Sequence, residues 1–246
     1  MKRLLSLMAL LLSCTSVDCA DVSLSNVVPA IPLTQSENVE TKPDYSDIKL
    51  PLLVNQNNPI GKDYKPNNLI VPNIKLASSG AIQKNHVQEQ VAYKLEELFK
   101  DATNNGITLI GVSGYRDYDR QVTLYNNAVS RYGKNQKSSA KPGTSEHQTG
   151  LAIDVGCPSN MQLTQDFGET KEGKWLAENA HKHGFVVRYP KGKEEITGYI
   201  YEPWHIRYVG EEYATYLYEN NLTLEELYHQ FTSYTGLTIE QVKGGV

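Results

Sequence analysis

Residues 145–154 read Ser-Glu-His-Gln-Thr-Gly-Leu-Ala-Ile-Asp. Leu151 to Val155 form a short apolar run, which reads as a buried strand. Asp154 is out of place there, because an unpaired carboxylate in a buried strand costs on the order of several kcal/mol. It shares a strand face with Ala152 and Gly156, whose small size leaves room beside it. Gly150 allows a turn between His147 and Asp154, so the two can address one point although their spacing is irregular for a strand. A metal ion at that point would remove the cost of burying Asp154. A turn or a salt bridge is the plainer use for such an aspartate.

On the N-terminal side, Val87, Val91, Leu95, Leu98, Phe99 and Ala102 recur at helical spacing, and Asn104-Asn105-Gly106 ends the pattern. Ile107 to Val112 reads as a second buried strand. Asp119 to Tyr132 reads as a helix with Val122, Tyr125 and Val129 inward. On the C-terminal side, Trp175, Leu176, Asn179 and Ala180 predict a helix that Gly184 ends. Phe185–Arg188 and Tyr199–Val209 predict strands on either side of a Lys-Gly-Lys loop. Thr223 and Glu226 predict a capping box for a last helix carrying Leu224, Leu227, Tyr228 and Phe231. Helices surround a few strands with no regular βαβ rhythm and no repeat, which argues an α+β fold.

The chain has 246 residues and a net charge of −4, with no basic stripe of the kind a nucleic-acid binder needs. Sixteen tyrosines against four phenylalanines suit half-wet clefts but name no ligand. Met1-Lys2-Arg3 followed by the apolar run Leu4 to Leu12 reads as an export signal, too short for the roughly 20 residues of a spanning helix. Leu11-Leu12-Ser13-Cys14 is similar to a bacterial lipobox, so the alternatives are a lipid anchor at Cys14 and simple cleavage near Ala20. The expected organisation is a signal segment at 1–20, a flexible tether at 21–49 and one catalytic domain at 50–246. Prolines 51, 59, 66 and 72 predict that the start of that domain wraps over its surface. Cys14, Cys19 and Cys157 make no disulfide scaffold and contain no Cys-x-x-Cys, so any metal site must use histidine and carboxylate.

Three stretches are chemically dense: Ser113-Gly114-Tyr115-Arg116 with Gln121, the stretch from Ser145 to Asp154, and Glu202-Pro203-Trp204-His205. A catalytic zinc takes three protein ligands and leaves one position open. His147, Asp154 and His205 offer two imidazoles and a carboxylate. A lone histidine is more often a surface or core residue, and His86, His181, His183 and His229 are read that way. Glu202 is the natural general base, unless it is an ordinary strand acid. An unbroken strand would put Glu202 and His205 on opposite faces, and a bend or bulge at Pro203 would restore convergence. Trp204 reads as packing. Arg116, at the mouth of the cleft its strand borders, could polarise a scissile carbonyl or hold a substrate carboxylate, with Gln121 and Ser145 adding neutral hydrogen bonds.

Taken together and in this order, Ser-Gly-Tyr-Arg, Ser-x-His-x-x-Gly-x-Ala-x-Asp and Glu-x-Trp-His resemble the VanY-like D-alanyl-D-alanine carboxypeptidases, zinc peptidases that share a fold with the hedgehog signalling domain. The resemblance runs from about Leu50 to Phe231. It implies a small, mostly antiparallel sheet flanked by helices, with Zn2+ in a surface cleft held by His147, Asp154 and His205. Glu202 is then the catalytic base, Arg116 acts near the substrate carbonyl or carboxylate, and Gln121 and Ser145 lie in the binding pocket. Asp117 departs from the serine that often follows the arginine. The implied activity is removal of terminal D-alanine from peptidoglycan stem peptides, by a monomer at the extracytoplasmic face of a bacterial membrane or in the wall. The alternatives are an L,D-carboxypeptidase acting on tetrapeptide stems and a zinc-containing module that binds wall peptides without cutting them. A binder would have no need of Glu202.

Overall fold

The computed structural model describes Tyr45 and residues 48–244, so the signal segment and nearly all of the tether lie outside the described residues. From Lys49 onward the chain forms one unit. Strands β1 (Leu69–Ile70) and β2 (Val87–Gln88) pair antiparallel as a short ribbon. The main sheet contains β3 (Ile110–Ser113), β4 (Ala152–Gly156), β5 (Phe185–Tyr189) and β6 (Glu202–Tyr208). Their order is β3-β4-β6-β5, and every pairing is antiparallel. Among the described residues, the α-helices are α1 (Glu89–Asn104), α2 (Tyr118–Tyr132), α3 (Lys171–Asn179), α4 (Glu194–Thr197), α5 (Glu211–Glu219), α6 (Leu224–Thr235) and α7 (Ile239–Val242). This is an α+β fold with a small antiparallel sheet flanked by helices. Among the described residues, no helix is long and apolar enough to cross a membrane.

The sheet separates two kinds of interior. Leu151, just before β4, and Ile153 and Val155 within it alternate and join Ile206 of β6 in the apolar core. Helix α1 fills that core with Val91, Ala92, Leu95, Leu98, Phe99 and Ala102, which recur at the helical period. Each large aliphatic side chain buried there contributes roughly 1.5–3 kcal/mol. The intervening residues on β4 and β6 face the other way. Ala152 stands opposite Arg207 and Asp154 opposite His205, so this second interior is polar. An N-terminal strap and helix α6 close over it. Arg207 donates to the Leu52 carbonyl at 2.6 Å, and Tyr228 of α6 donates to the Pro51 carbonyl at 2.9 Å. The strap's Leu50 bonds the segment at 242–244: its N–H reaches Val242 O at 2.8 Å, and Gly244 N–H reaches Leu50 O at 2.9 Å.

Several expectations need correction in detail. Val87 lies in β2 rather than in the helix, which starts two residues later. Residues 107–109 lead into β3 but do not pair, and Tyr199–Tyr201 lie outside β6. Helix α2 keeps Val122, Tyr125 and Val129 only half-buried, and its one buried residue is Gln121. The loop after β5 contains the short helix α4. Helix α5, with Tyr213, Ala214, Tyr216 and Leu217 buried, was not anticipated, because tyrosine-rich sequence favours strand as readily as helix. The capping box of α6 is present at Thr223 and Glu226.

Candidate active site

His147 sits on a buried 3-10 turn, Glu146–Thr149, that ends at Gly150 with φ 68°, a left-handed conformation favouring glycine. This turn delivers the chain into β4, with Asp154 on the polar face. The bond from His147 Nδ1 to the Gly114 carbonyl, 2.7 Å, orients the imidazole. Gly114 must be glycine because a Cβ there would collide with the His86 carbonyl. His205 enters from β6, directly across from Asp154. A register shift between β5 and β6 takes Val187↔Ile206 to Tyr189↔Glu202, leaving extra residues on β6 around Pro203. The bulge brings Glu202 to the same side as His205, with Glu202 Oε2 3.9 Å from His205 Nδ1.

Donor atoms of His147, Asp154 and His205 all lie within 4.8 Å of one another, and the three residues are buried. His147 Nε2 is 3.4 Å from Asp154 Oδ2, and His205 Nδ1 is 3.2 Å from Asp154 Oδ1. A tetrahedral zinc with bonds of about 2.0–2.1 Å separates its donors by roughly 3.3–3.4 Å, close to each of these two nitrogen–oxygen spacings, with one nitrogen beside each oxygen of Asp154. Asp154 Oδ1 supplies the independent observation: it is buried and has no hydrogen-bond partner, a state a metal ligand resolves. Nitrogen, nitrogen and carboxylate oxygen form a donor set suited to zinc.

The electrostatics follow from burial and from these neighbours. Burial, reinforced by Arg116, pushes His147 below its usual value, which favours the neutral ring a metal needs. Burial alone would raise Asp154, but His147 and His205 hold it well below the usual carboxylate range. Burial would also lower His205, yet Asp154 and Glu146 on either side raise it to about 9. Burial raises Glu202 to about 7; Asp154 and Glu146 act in the same direction, and His205 and Arg116 oppose them.

The cleft above these groups has a volume of about 240 Å³ and is lined by Arg116, Ser145, Glu202 and Trp204 together with the metal-site residues. Tyr189 and Tyr199 form part of its wall. Arg116 Nη2 stands 4.0 Å from Asp154 Oδ2. Gln121 does not line the cleft. Its side-chain oxygen accepts from Arg116 Nη1 at 2.7 Å, and its amide donates to the Ala140 carbonyl at 2.7 Å, so it aims the arginine and pins the adjoining loop. Asp117 is the N-cap of α2, accepting from Arg120 N–H at 2.7 Å.

Sequence reasoning missed the charged layer beneath the site. Glu146, Arg188 and Arg207 are fully buried and joined by ion pairs. Their signal was present but quiet: Arg207 lies two residues after His205 on the same strand face, and an arginine in a buried strand demands a partner.

The fold thus gathers a His/Asp/His donor set that could hold a metal ion in one cleft. The D-alanyl-D-alanine carboxypeptidase family model VanY matches residues 84–211, and the chain belongs to that family. A putative carboxypeptidase YodJ of Bacillus subtilis (strain 168) is 45% identical over 181 residues, covering 72% of this chain and 66% of the relative. The chain therefore spans just under two thirds of that relative's length. Among solved structures, the LdcB LD-carboxypeptidase is 44% identical with a TM-score of 0.70, covering 72% of this chain and 85% of that one. The vancomycin-resistance D,D-pentapeptidase VanY from a VanB-type cassette, solved in complex with Zn(II), is 35% identical with a TM-score of 0.58, covering 71% of this chain and 96% of that one.

Proposed function

We propose that the protein is a zinc-dependent D-alanyl-D-alanine carboxypeptidase that removes the terminal D-alanine from peptidoglycan stem peptides. The observation that carries this reading is the convergence of His147, Asp154 and His205 with Glu202 in one cleft. Zinc bound there supplies Lewis acidity, which lowers the pKa of water and polarises a carbonyl. The chain's own groups do the rest. Glu202, desolvated and poised near neutrality, takes a proton on its carboxylate oxygen and returns it to the departing amine. Arg116, aimed by Gln121, holds the substrate's carbonyl or its terminal carboxylate, and the buried Ser145 adds a hydrogen bond from the cleft wall.

A second reading is favoured by one observation: the likeness to the LD-carboxypeptidase LdcB is stronger, in identity and in TM-score, than the likeness to the D,D-pentapeptidase VanY. Both readings release D-alanine and differ in whether the preceding residue is D or L. Mass spectrometry of pentapeptide and tetrapeptide wall fragments after incubation with the zinc-loaded protein distinguishes them. Release of D-alanine from neither fragment would favour the wall-peptide binding module instead.

The proposed setting is outside the cytoplasm. The basic flank and apolar run at Met1–Leu12 support export, and Cys14 is the proposed point of lipid attachment, which would hold a monomeric enzyme at the membrane face beside the wall. Detergent partitioning of the mature protein, lost in Cys14→Ser, tests the anchor; a soluble mature form starting near Ala20 would replace it with ordinary cleavage.

A further inference from the structure

The metal-site reading leaves unexplained why a glutamate with no exposed side-chain surface lies directly beside His147. Glu146 is surrounded by cations. Its Oε1 accepts from Arg188 Nε at 2.8 Å and from Arg207 Nη1 at 2.6 Å. Arg188 is braced in turn by both oxygens of Glu225, at 2.8 and 2.6 Å, and Glu225 also accepts from Asn55 Nδ2 at 2.9 Å. Arg207 is braced by the Leu52 carbonyl. One oxygen of Glu146 is thus held by two arginines anchored to α6 and to the N-terminal strap. The other, Oε2, lies 3.3 Å from His205 Nε2.

We propose that Glu146 is a positioning residue for the metal site: fixed between Arg188 and Arg207, it accepts the Nε2–H of His205 and so commits Nδ1, on the Asp154 and Glu202 side of the ring, to the ion. Each ring nitrogen has its own carboxylate: Nε2 lies 3.3 Å from Glu146 Oε2 and Nδ1 lies 3.2 Å from Asp154 Oδ1. A carboxylate behind a ligating histidine fixes its tautomer and orientation and raises its basicity. The other account, that Glu146 only neutralises two buried arginines, makes no claim on His205.

This inference rests on the zinc reading, and the experiment separates the two. Wild-type protein and His205→Ala are first assayed for zinc; no zinc in the wild type, or full zinc in His205→Ala, defeats the zinc reading itself. Glu146→Gln is then compared with Glu225→Gln, which disturbs the same ion network at its outer end and leaves the contact with His205 in place. Zinc affinity is read by chelator competition, and coordination geometry by the visible spectrum of the cobalt-substituted protein. Glu146→Gln should weaken zinc binding about 10–100-fold and alter the cobalt spectrum. Glu225→Gln should lower the thermal midpoint yet leave affinity within about twofold and the spectrum unchanged. Equal losses in the two variants, or wild-type behaviour in Glu146→Gln, overturn the proposal. Should Glu146→Gln fail to fold, nitrogen-15 NMR of histidine-labelled, zinc-loaded wild type decides it. A protonated, slowly exchanging His205 Nε2 supports the role, and a zinc-bound Nε2 refutes it.

Discussion

Asp154 and His205 face each other directly across the β4–β6 ladder, with Oδ1 and Nδ1 3.2 Å apart but not aligned as a hydrogen bond. Two strands thereby fix two of the three proposed metal donors to each other without help from any loop. Replacing His205 by alanine leaves Asp154 and His147 as the only two protein donors of the set. Zinc content, measured by elemental mass spectrometry, should fall from about one per chain to near zero, while the sheet persists by circular dichroism.

Glu202 separates chemistry from binding. Glu202→Gln keeps the shape of the side chain but cannot take a proton from water. Turnover should fall by about 10²–10⁴-fold with zinc content and peptide affinity little changed. Near-normal turnover with zinc retained would assign the base to another residue.

Zinc uptake should depend on pH through His205. Burial favours the neutral ring, but Asp154 and Glu146 keep the proton on it up to about 9. A raised pKa means that the ion must displace a proton at every pH below that value. Affinity should therefore climb as pH rises toward 9 and level off above it. Calorimetry in buffers of different ionisation enthalpy should show close to one proton released per zinc near pH 7. No proton release would mean that His205 binds no metal.

Arg116 should be read at the end of the substrate. Amidating the peptide C-terminus, or changing Arg116 to alanine, should each lower kcat/KM by about 10²-fold or more, and the two losses should not multiply. Equal cleavage of acid and amide peptides would mean that the arginine serves the scissile carbonyl alone.

Gly114→Ala should act at a distance. The new methyl meets the His86 carbonyl, so the backbone must move, and with it the carbonyl that orients His147. We expect about 1–3 kcal/mol of lost stability by chemical denaturation, together with weaker zinc binding.

Patterns of short range were readable from the chain. The buried stripe of α1 shows its period directly, and Asp154 declares itself by being a carboxylate among aliphatics. The reading that Pro203 would reconcile Glu202 with His205 needed only strand periodicity, and a register shift does lie there. What stayed hidden depends on partners far apart in the chain. Gln121 looks like a pocket residue until Arg116 and Ala140 are seen around it. Glu146 has no partner in view until strands β5 and β6 bring Arg188 and Arg207 to it, 42 and 61 residues away. Half-burial of α2 was equally invisible, since amphipathic spacing gives the direction of a face but not how completely it is covered.

The pairing of Leu50 with Val242 and Gly244 also has a mechanical meaning. A pull on the chain from the side preceding Lys49 meets Lys49, whose Nζ donates to the Gln241 carbonyl, and then Leu50, before it reaches Pro51, which Tyr228 holds, and Leu52, which holds Arg207. The bonds that Lys49 and Leu50 make would take the load before those of Pro51 and Leu52, as a fuse. Under tension the contact between Leu50 and the 242–244 segment should part while the ion-paired layer around Glu146 stays seated, leaving the cleft above it aligned.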